Sequence, residues 1–195
     1  PISAIDAAGL KPIDARLEQI ASIGSLKDFA HTLAGLHQEA VSAGFAMGVS
    51  ADQKKSDINA LYASQGGLSL PSRDYYFSEA FAKQRDEFIA HVGRLLTLAG
   101  TPPEKAAIQA TNVFELEKAL AANAKTPVEL RDRVANYNKM PTSALAALVP
   151  AFPLDQYLKD RGITGPASAE VIVGQPRFFE GLQQTLTNRP LADWK

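Results

Sequence analysis

Helical periodicity governs most of the chain. Leu26, Phe29, Leu33 and Leu36 recur at the spacing of one apolar helix face behind Ser25, a residue suited to capping, which predicts a helix from Ser25 toward Gly44. Ile13, Leu17 and Ile20 predict an earlier one. The period then shortens. Residues 45–50 and 58–64 look extended and flank a polar turn of Asp, Gln and Lys, so a β-hairpin is expected over about 45–64, ended by Gly66 and Gly67. Phe81, Phe88, Val92, Leu95 and Leu96 predict the next helix, stopped by Gly100. Thr101 and Glu104 in TPPE read as a capping box opening a long helix through Ile108, Val113, Leu116 and Leu120. Thr126 and Glu129 repeat the box before a segment that Pro141 must cut short. Two short helices follow, PTSALAALVP and PLDQYLKDRG, then a brief apolar run at 171–173 that suits a strand, and a last helix entered at Pro176. The expectation is a mainly α, multi-helix unit with one small β-hairpin, spanning 1–195 as a single domain.

Between hairpin and helix lies GGLSLPSRDYYF, residues 66–77, with two glycines, an Arg-Asp pair and three consecutive aromatics. Large rings in a loop must pack against something, and charges among them need partners. The segment is expected to be a connector whose rings enter the core.

Composition narrows the classes. With 195 residues, 46% hydrophobic and 21% charged, the chain has the balance of a globular domain. A formal charge of −1 and a pI near 6.4 give no pull toward nucleic acid or an anionic membrane. The absence of cysteine removes disulfides, thiolate chemistry and cysteine-ligated zinc. No apolar run approaches a membrane span, and nothing reads as a signal peptide. A start at Pro1, and a final RPLADWK that reads as the first turn of a helix with Trp194 seeking a neighbour, suggest a processed or excised segment.

Catalytic chemistry has no visible seat. His31 and His37 are six apart on a predicted helix, His91 stands alone, and HQEAV lacks the second histidine of H-E-x-x-H, so neither metal-binding nor catalytic residues are assigned. Glu115 and Glu117, two apart on a helix, point to different sides. Glu117 lies on an apolar helix and calls for a cation, for which Arg73, Arg131 and Arg133 are candidates. Tyr75, Tyr76, Phe77 and Tyr137 suit packing better than base stacking, because nothing basic surrounds them.

Taken together, LSLPSRDYYF (68–77), VFELEKALAANA (113–124) and NYNKMP (136–141) resemble segments of the neprilysin and endothelin-converting-enzyme family of zinc metalloendopeptidases, which includes bacterial secreted oligopeptidases. FFEGLQQTLTNRPLADWK extends the likeness to nearly the whole chain, and Glu117, Arg131 and Asp132 stand where the family has E and R-D before Y-N. The resemblance implies the non-catalytic helical domain that closes over a C-terminal zinc domain and admits peptides to a large cavity. The family's H-E-x-x-H and its other zinc and substrate motifs have no counterpart here. Zinc is thus implied for a longer parent and not for this segment. The implied partners are the zinc domain and peptide substrates, without nucleic acid or membrane contact. The implied location is extracytoplasmic, and the lack of cysteines suggests a bacterial relative. Arg73, Asp74, Tyr75, Tyr76, Glu117, Arg131, Asp132 and Tyr137 are the expected structural ion-pair and packing residues, with Arg73 paired to Asp74 or Glu117. The competing expectation is a free-standing helical binding module.

Overall fold

The computed structural model describes residues 2–195. Helices α1 (Ile2–Ala8), α2 (Asp14–Ala21) and α3 (Leu26–Gln38) open the chain. Strands β1 (Phe45–Asp52) and β2 (Lys55–Gln65) follow, then α4 (Asp74–Phe77), α5 (Ala82–Leu98) and α6 (Pro103–Ala121). After β3 (Asn138–Pro141) come α7 (Thr142–Leu148), α8 (Leu154–Asp160), β4 (Glu170–Val173) and α9 (Pro176–Asn188).

Ser25 caps α3 as its side chain suggests, accepting the Asp28 N–H at 3.2 Å, and the apolar stripe behind it buries Phe29 and Leu33. β1 and β2 form the expected antiparallel hairpin, from Phe45 opposite Gln65 to Ala51 opposite Asn59. The hairpin is only half of the β structure. β4 lies parallel to β2, with Tyr62 opposite Ile172, and β3 pairs antiparallel with β4, giving a four-stranded sheet in the order β1-β2-β4-β3. The physical reason lies in the Val171-Ile172-Val173 run, all three at 1% exposure or less. Apolar residues on both faces of a strand suit a parallel partner covered on both sides. Helices α3, α6 and α9 share the core with Val171 and Val173 on one face. The main core joins Phe29 and Leu33 of α3, Leu61, Val171 and Val173 of the sheet, Leu120 of α6, and Phe178, Phe179 and Leu182 of α9.

Two capping expectations need correction. α6 begins at Pro103 after Pro102, with no side-chain cap from Thr101, whose N–H instead closes the end of α5 on Leu96 O at 3.0 Å. The second box does form, since Thr126 N–H and O–H both reach Glu129 Oε2 at 2.8 Å and Glu129 N–H returns to Thr126 Oγ1 at 3.3 Å. It launches only a 3-10 turn, Glu129–Arg131. Asp132 stops propagation by taking the N–H groups of Val134 and Ala135 at 3.0 and 2.9 Å, while Asn136 donates to the carbonyls of Glu129 and Asp132.

Phe45 stands at the meeting of α3, β1 and α8, with the rings of His37, Phe152, Tyr157 and Phe179 around it at 5.3 to 5.8 Å. His37 Nε2–H donates to Ala43 O at 2.9 Å, because a carbonyl can only accept. The neutral ring then accepts the Tyr157 hydroxyl at Nδ1, 2.7 Å away, and that hydroxyl accepts from Arg161 at 2.8 Å. Burial, aided by the Arg161 charge, holds the His37 pKa below its ordinary value, against the opposing pull of the Ala43 carbonyl. The unfolded chain therefore binds more protons than the native one as pH falls below about 6.5, and stability declines through that window. Urea midpoints measured from about pH 7.5 down to about pH 5 are expected to fall in the wild type and to fall less in His37→Gln. Parallel curves would contradict the neutral tautomer.

The connector enters through Gly67, at φ +68°, where an added Cβ would lie 2.3 Å from the backbone nitrogen of Gly44. Gly162 has a similar φ, +70°, and open space around it. Gly67→Ala is expected to lower unfolding free energy by about 3 kcal/mol or more, the sum of left-handed strain and backbone collision. Gly162→Ala, carrying the strain alone, should cost about 1 kcal/mol. Chemical denaturation of the two variants checks the difference.

Candidate functional site

The connector's sequence explains its path. Leu68 and Leu70, like Phe88 and Ile89 of α5, pack against a small cluster of Tyr76, Phe114 and Ala121, and the short α4 turns Tyr76 inward to 1% exposure, its ring stacked 5.8 Å from Phe114 of α6. There the Tyr76 hydroxyl meets Glu117. It donates to Oε2 at 2.5 Å, while Ser69 donates its N–H to Oε2 at 2.9 Å and its hydroxyl to Oε1 at 2.7 Å. Leu70 N–H completes the set by donating to the Tyr76 oxygen at 3.1 Å. Glu117 is 7% exposed, so its charge is balanced by three donors rather than by a cation. Burial first, then the carboxylate beside it, pushes the Tyr76 pKa far above the phenol range.

Arg73 does not pair with Glu117 or Asp74. Its Nε reaches Ala121 O at 3.4 Å, its guanidinium lies 5.5 Å from the Phe77 ring centre, and no carboxylate of the described residues stands within salt-bridge distance. The reason is that Ser69 and Tyr76 reach Glu117 first and satisfy both oxygens. Asp74 is exposed at the start of α4. Tyr75 stacks on Phe81, 3.9 Å between centroids, and its carbonyl accepts from Arg85. Arg131 is exposed at the end of the 3-10 turn, and Asp132 organises the turn after it.

Tyr137 belongs to a second cluster. Its hydroxyl donates to Asp52, 2.9 Å from Oδ1 and 3.1 Å from Oδ2, Lys54 lies 4.3 Å over its ring, and Lys139 approaches Asp52 at 3.7 Å. Asp52 is 1% exposed, although ADQKK reads in sequence as a solvated turn. The Lys54 N–H, the Tyr137 hydroxyl and Lys139 hold its pKa below the usual carboxylate range against burial. Asn136 was equally unsignalled. Its Oδ1 accepts from Lys125 at 2.9 Å and from Gln175 at 3.0 Å, and Gln175 in turn accepts the Gln65 N–H at 2.9 Å, fastening α9 to β2 and to the end of α6. Only the run of polar residues among apolar neighbours could have pointed to these.

Three donors occupy three of the roughly four lone-pair positions of the Glu117 carboxylate, two on Oε2 and one on Oε1. His31 is bonded to Asp160 at 2.9 Å, and both ring nitrogens of His37 are engaged. Among the described residues no three His, Cys, Asp or Glu side chains converge to hold a metal ion, so these residues do not fit a zinc centre. Glu117 does border a cleft of about 470 Å³, shared with Leu68, Leu116 and Trp194.

The geometry makes Tyr76 matter more to the connector's stability than Arg73. Tyr76→Phe, which removes a charged hydrogen bond and strands Leu70 N–H, should cost about 2 to 3 kcal/mol. Arg73→Ala, losing one long bond and a ring contact, should cost about 1 kcal/mol or less. Equilibrium denaturation of both variants reads the order directly.

Known proteins match this fold. Neprilysin-3 of Drosophila melanogaster is 30% identical over 194 residues, covering 91% of this chain and 25% of the relative. Endothelin-converting enzyme 1 of Cavia porcellus is 36% identical over 110 residues, 55% of this chain and 14% of the relative. The crystal structure of Mycobacterium tuberculosis zinc metalloprotease ZMP1 with an inhibitor superposes with a TM-score of 0.92 at 25% identity, over 98% of this chain and 29% of that one. PepO of Lactobacillus rhamnosis HN001 shares the fold, with a TM-score of 0.78 at 15% identity over 96% of this chain and 29% of that one. The chain thus spans under a third of each of these relatives. The model described as Peptidase family M13, in its N-terminal form, matches residues 2–195, and on that match the chain belongs to peptidase family M13 as an N-terminal domain.

Proposed function

We propose that this chain is the non-catalytic helical lid of a secreted zinc metalloendopeptidase, capping the cavity in which peptides are hydrolysed and limiting which substrates enter. The observation that carries the reading is the likeness to ZMP1, close along the whole of this chain yet only 29% of the zinc metalloprotease's own. The internal hydrogen bonds of Glu117 and the bonds made by His31 and His37 support a scaffold role. In this reading the C-terminal zinc domain of the same polypeptide is the partner and peptides are the substrates. The bound zinc would supply the hydrolytic chemistry there, and this chain would shape and screen the cavity. An extracytoplasmic setting accords with the family. No helix of the described residues is long and apolar enough to cross a membrane.

The test compares the 195-residue chain with the polypeptide encoded by the uninterrupted reading frame. The longer protein is expected to cleave a quenched fluorescent peptide in a chelator-sensitive way and to spare a folded protein of the same sequence content. The shorter chain should show no turnover in added zinc. Zinc-dependent cleavage by the 195-residue chain alone would overturn the non-catalytic assignment. A frame that stops near Lys195, with no H-E-x-x-H beyond it, would replace the lid by a free-standing binding module.

A further inference from the structure

Beyond the C-terminal turn of α6 lies a cavity of about 240 Å³, bordered by Arg73, residues 122–125, Glu129, the cap residue Gln175 and the first residues of α9, Pro176 and Arg177. Three cations, Arg73, Lys125 and Arg177, line it against one carboxylate. That carboxylate, Glu129, is committed to Thr126, whose N–H and O–H both reach Oε2. Lys125 is committed too, to Asn136 Oδ1 at 2.9 Å and Ala135 O at 3.3 Å. The two guanidinium groups keep their forks free of carboxylates, although Arg73 lies 5.5 Å from the Phe77 ring centre. Neither Arg73 nor Arg177 has a carboxylate of the described residues within salt-bridge distance, and only Arg73 Nε makes a bond, to Ala121 O.

The start of α9 adds to the positive field. Gln175 stands at the cap position, but its side chain serves Gln65 and Asn136, and no acidic residue occupies the first turn. Ala122, Ala124 and Pro176 supply apolar wall beside the cations. A planar guanidinium fork matches a carboxylate through two parallel N–H bonds. Glu129 in the wall disfavours a doubly charged phosphate, and the volume exceeds what a carboxylate group alone would fill.

We propose that this cavity binds a carboxylate presented on a short peptide, with Arg73 and Arg177 as the groups that hold it. The site stands apart from the Glu117 clamp and does not depend on the chain's role as a lid.

Calorimetric titration of the chain tests it with four probes: N-acetyl-Ala-Glu-amide, N-acetyl-Ala-Ala with a free carboxylate, N-acetyl-Ala-Gln-amide, and inorganic phosphate. At least one carboxylate peptide is expected to bind in the millimolar range, about tenfold tighter than the neutral glutamine peptide, and to weaken with added salt. The first two probes separate a side-chain carboxylate from a terminal one. Arg177→Gln, at an exposed position, should weaken binding about tenfold and leave the fold intact, and Arg73→Gln should act alike, whereas Arg94→Gln on α5 should change nothing. Equal binding of the glutamate and glutamine peptides, indifference to Arg177→Gln, or tighter binding of phosphate than of either carboxylate would each overturn the proposal.

Discussion

Burying Glu117 at 7% exposure commits the connector and α6 to one another. A carboxylate out of water is tolerable only when donors reach both of its oxygens, and here they come from the backbone and side chain of Ser69 and from the end of the Tyr76 ring. Those donors sit on a segment with almost no regular structure of its own. The connector therefore takes its shape from the helix it touches. Tyr76 also brings apolar area against Phe114, so the polar lock and the small aromatic cluster form together.

A second lock acts just beyond the same, C-terminal end of α6. Gln65 brackets the backbone of Lys125, accepting its N–H at 2.7 Å and donating to its carbonyl at 3.0 Å, and Asn136 and Gln175 extend the bridge to α9. N-terminal to the Glu117 lock α6 buries Ala106, Ala110, Phe114 and Leu116, and between the two locks it buries Leu120. Amide side chains suit this place. They satisfy backbone groups at irregular junctions without the desolvation cost of a charge.

Much of this was legible in the chain's periodicity. Ser25, the α3 stripe, the hairpin and the Pro176 start follow from local rules that tertiary contacts reinforce. The connector was legible as packed only in part: Tyr76 enters the core and Tyr75 stacks on Phe81, but Phe77 stays 43% exposed, since one buried ring is enough to anchor the segment. What sequence misassigned was the partner. An arginine among aromatics suggests an ion pair, yet a carboxylate can be satisfied by neutral O–H and N–H donors, and spacing alone does not rank those against a guanidinium. Thr126 and Glu129 show the same limit from another side, since their box forms without a helix behind it. Asp52 and Asn136 were invisible because polar residues in a turn look alike whether the turn faces water or is folded under a tyrosine. The sheet beyond the hairpin required knowing that Val171 to Val173 would meet β2.

That meeting sets the order in which the molecule can assemble. Gln65 at the end of β2 and Gln175 just past β4 are 110 residues apart in sequence and bonded in the fold. A hairpin can close as soon as its own turn emerges, but the inner edge of β2 stays unpaired until α5, α6, α7 and α8 have all been synthesised. Loop closure over such a distance slows folding, and an open edge in the meantime offers a template for the wrong strand. The parallel β2–β4 pair thus makes the nascent chain most vulnerable to aggregation while residues 66–170 are emerging, and it makes the last quarter of the sequence the part that ends that exposure.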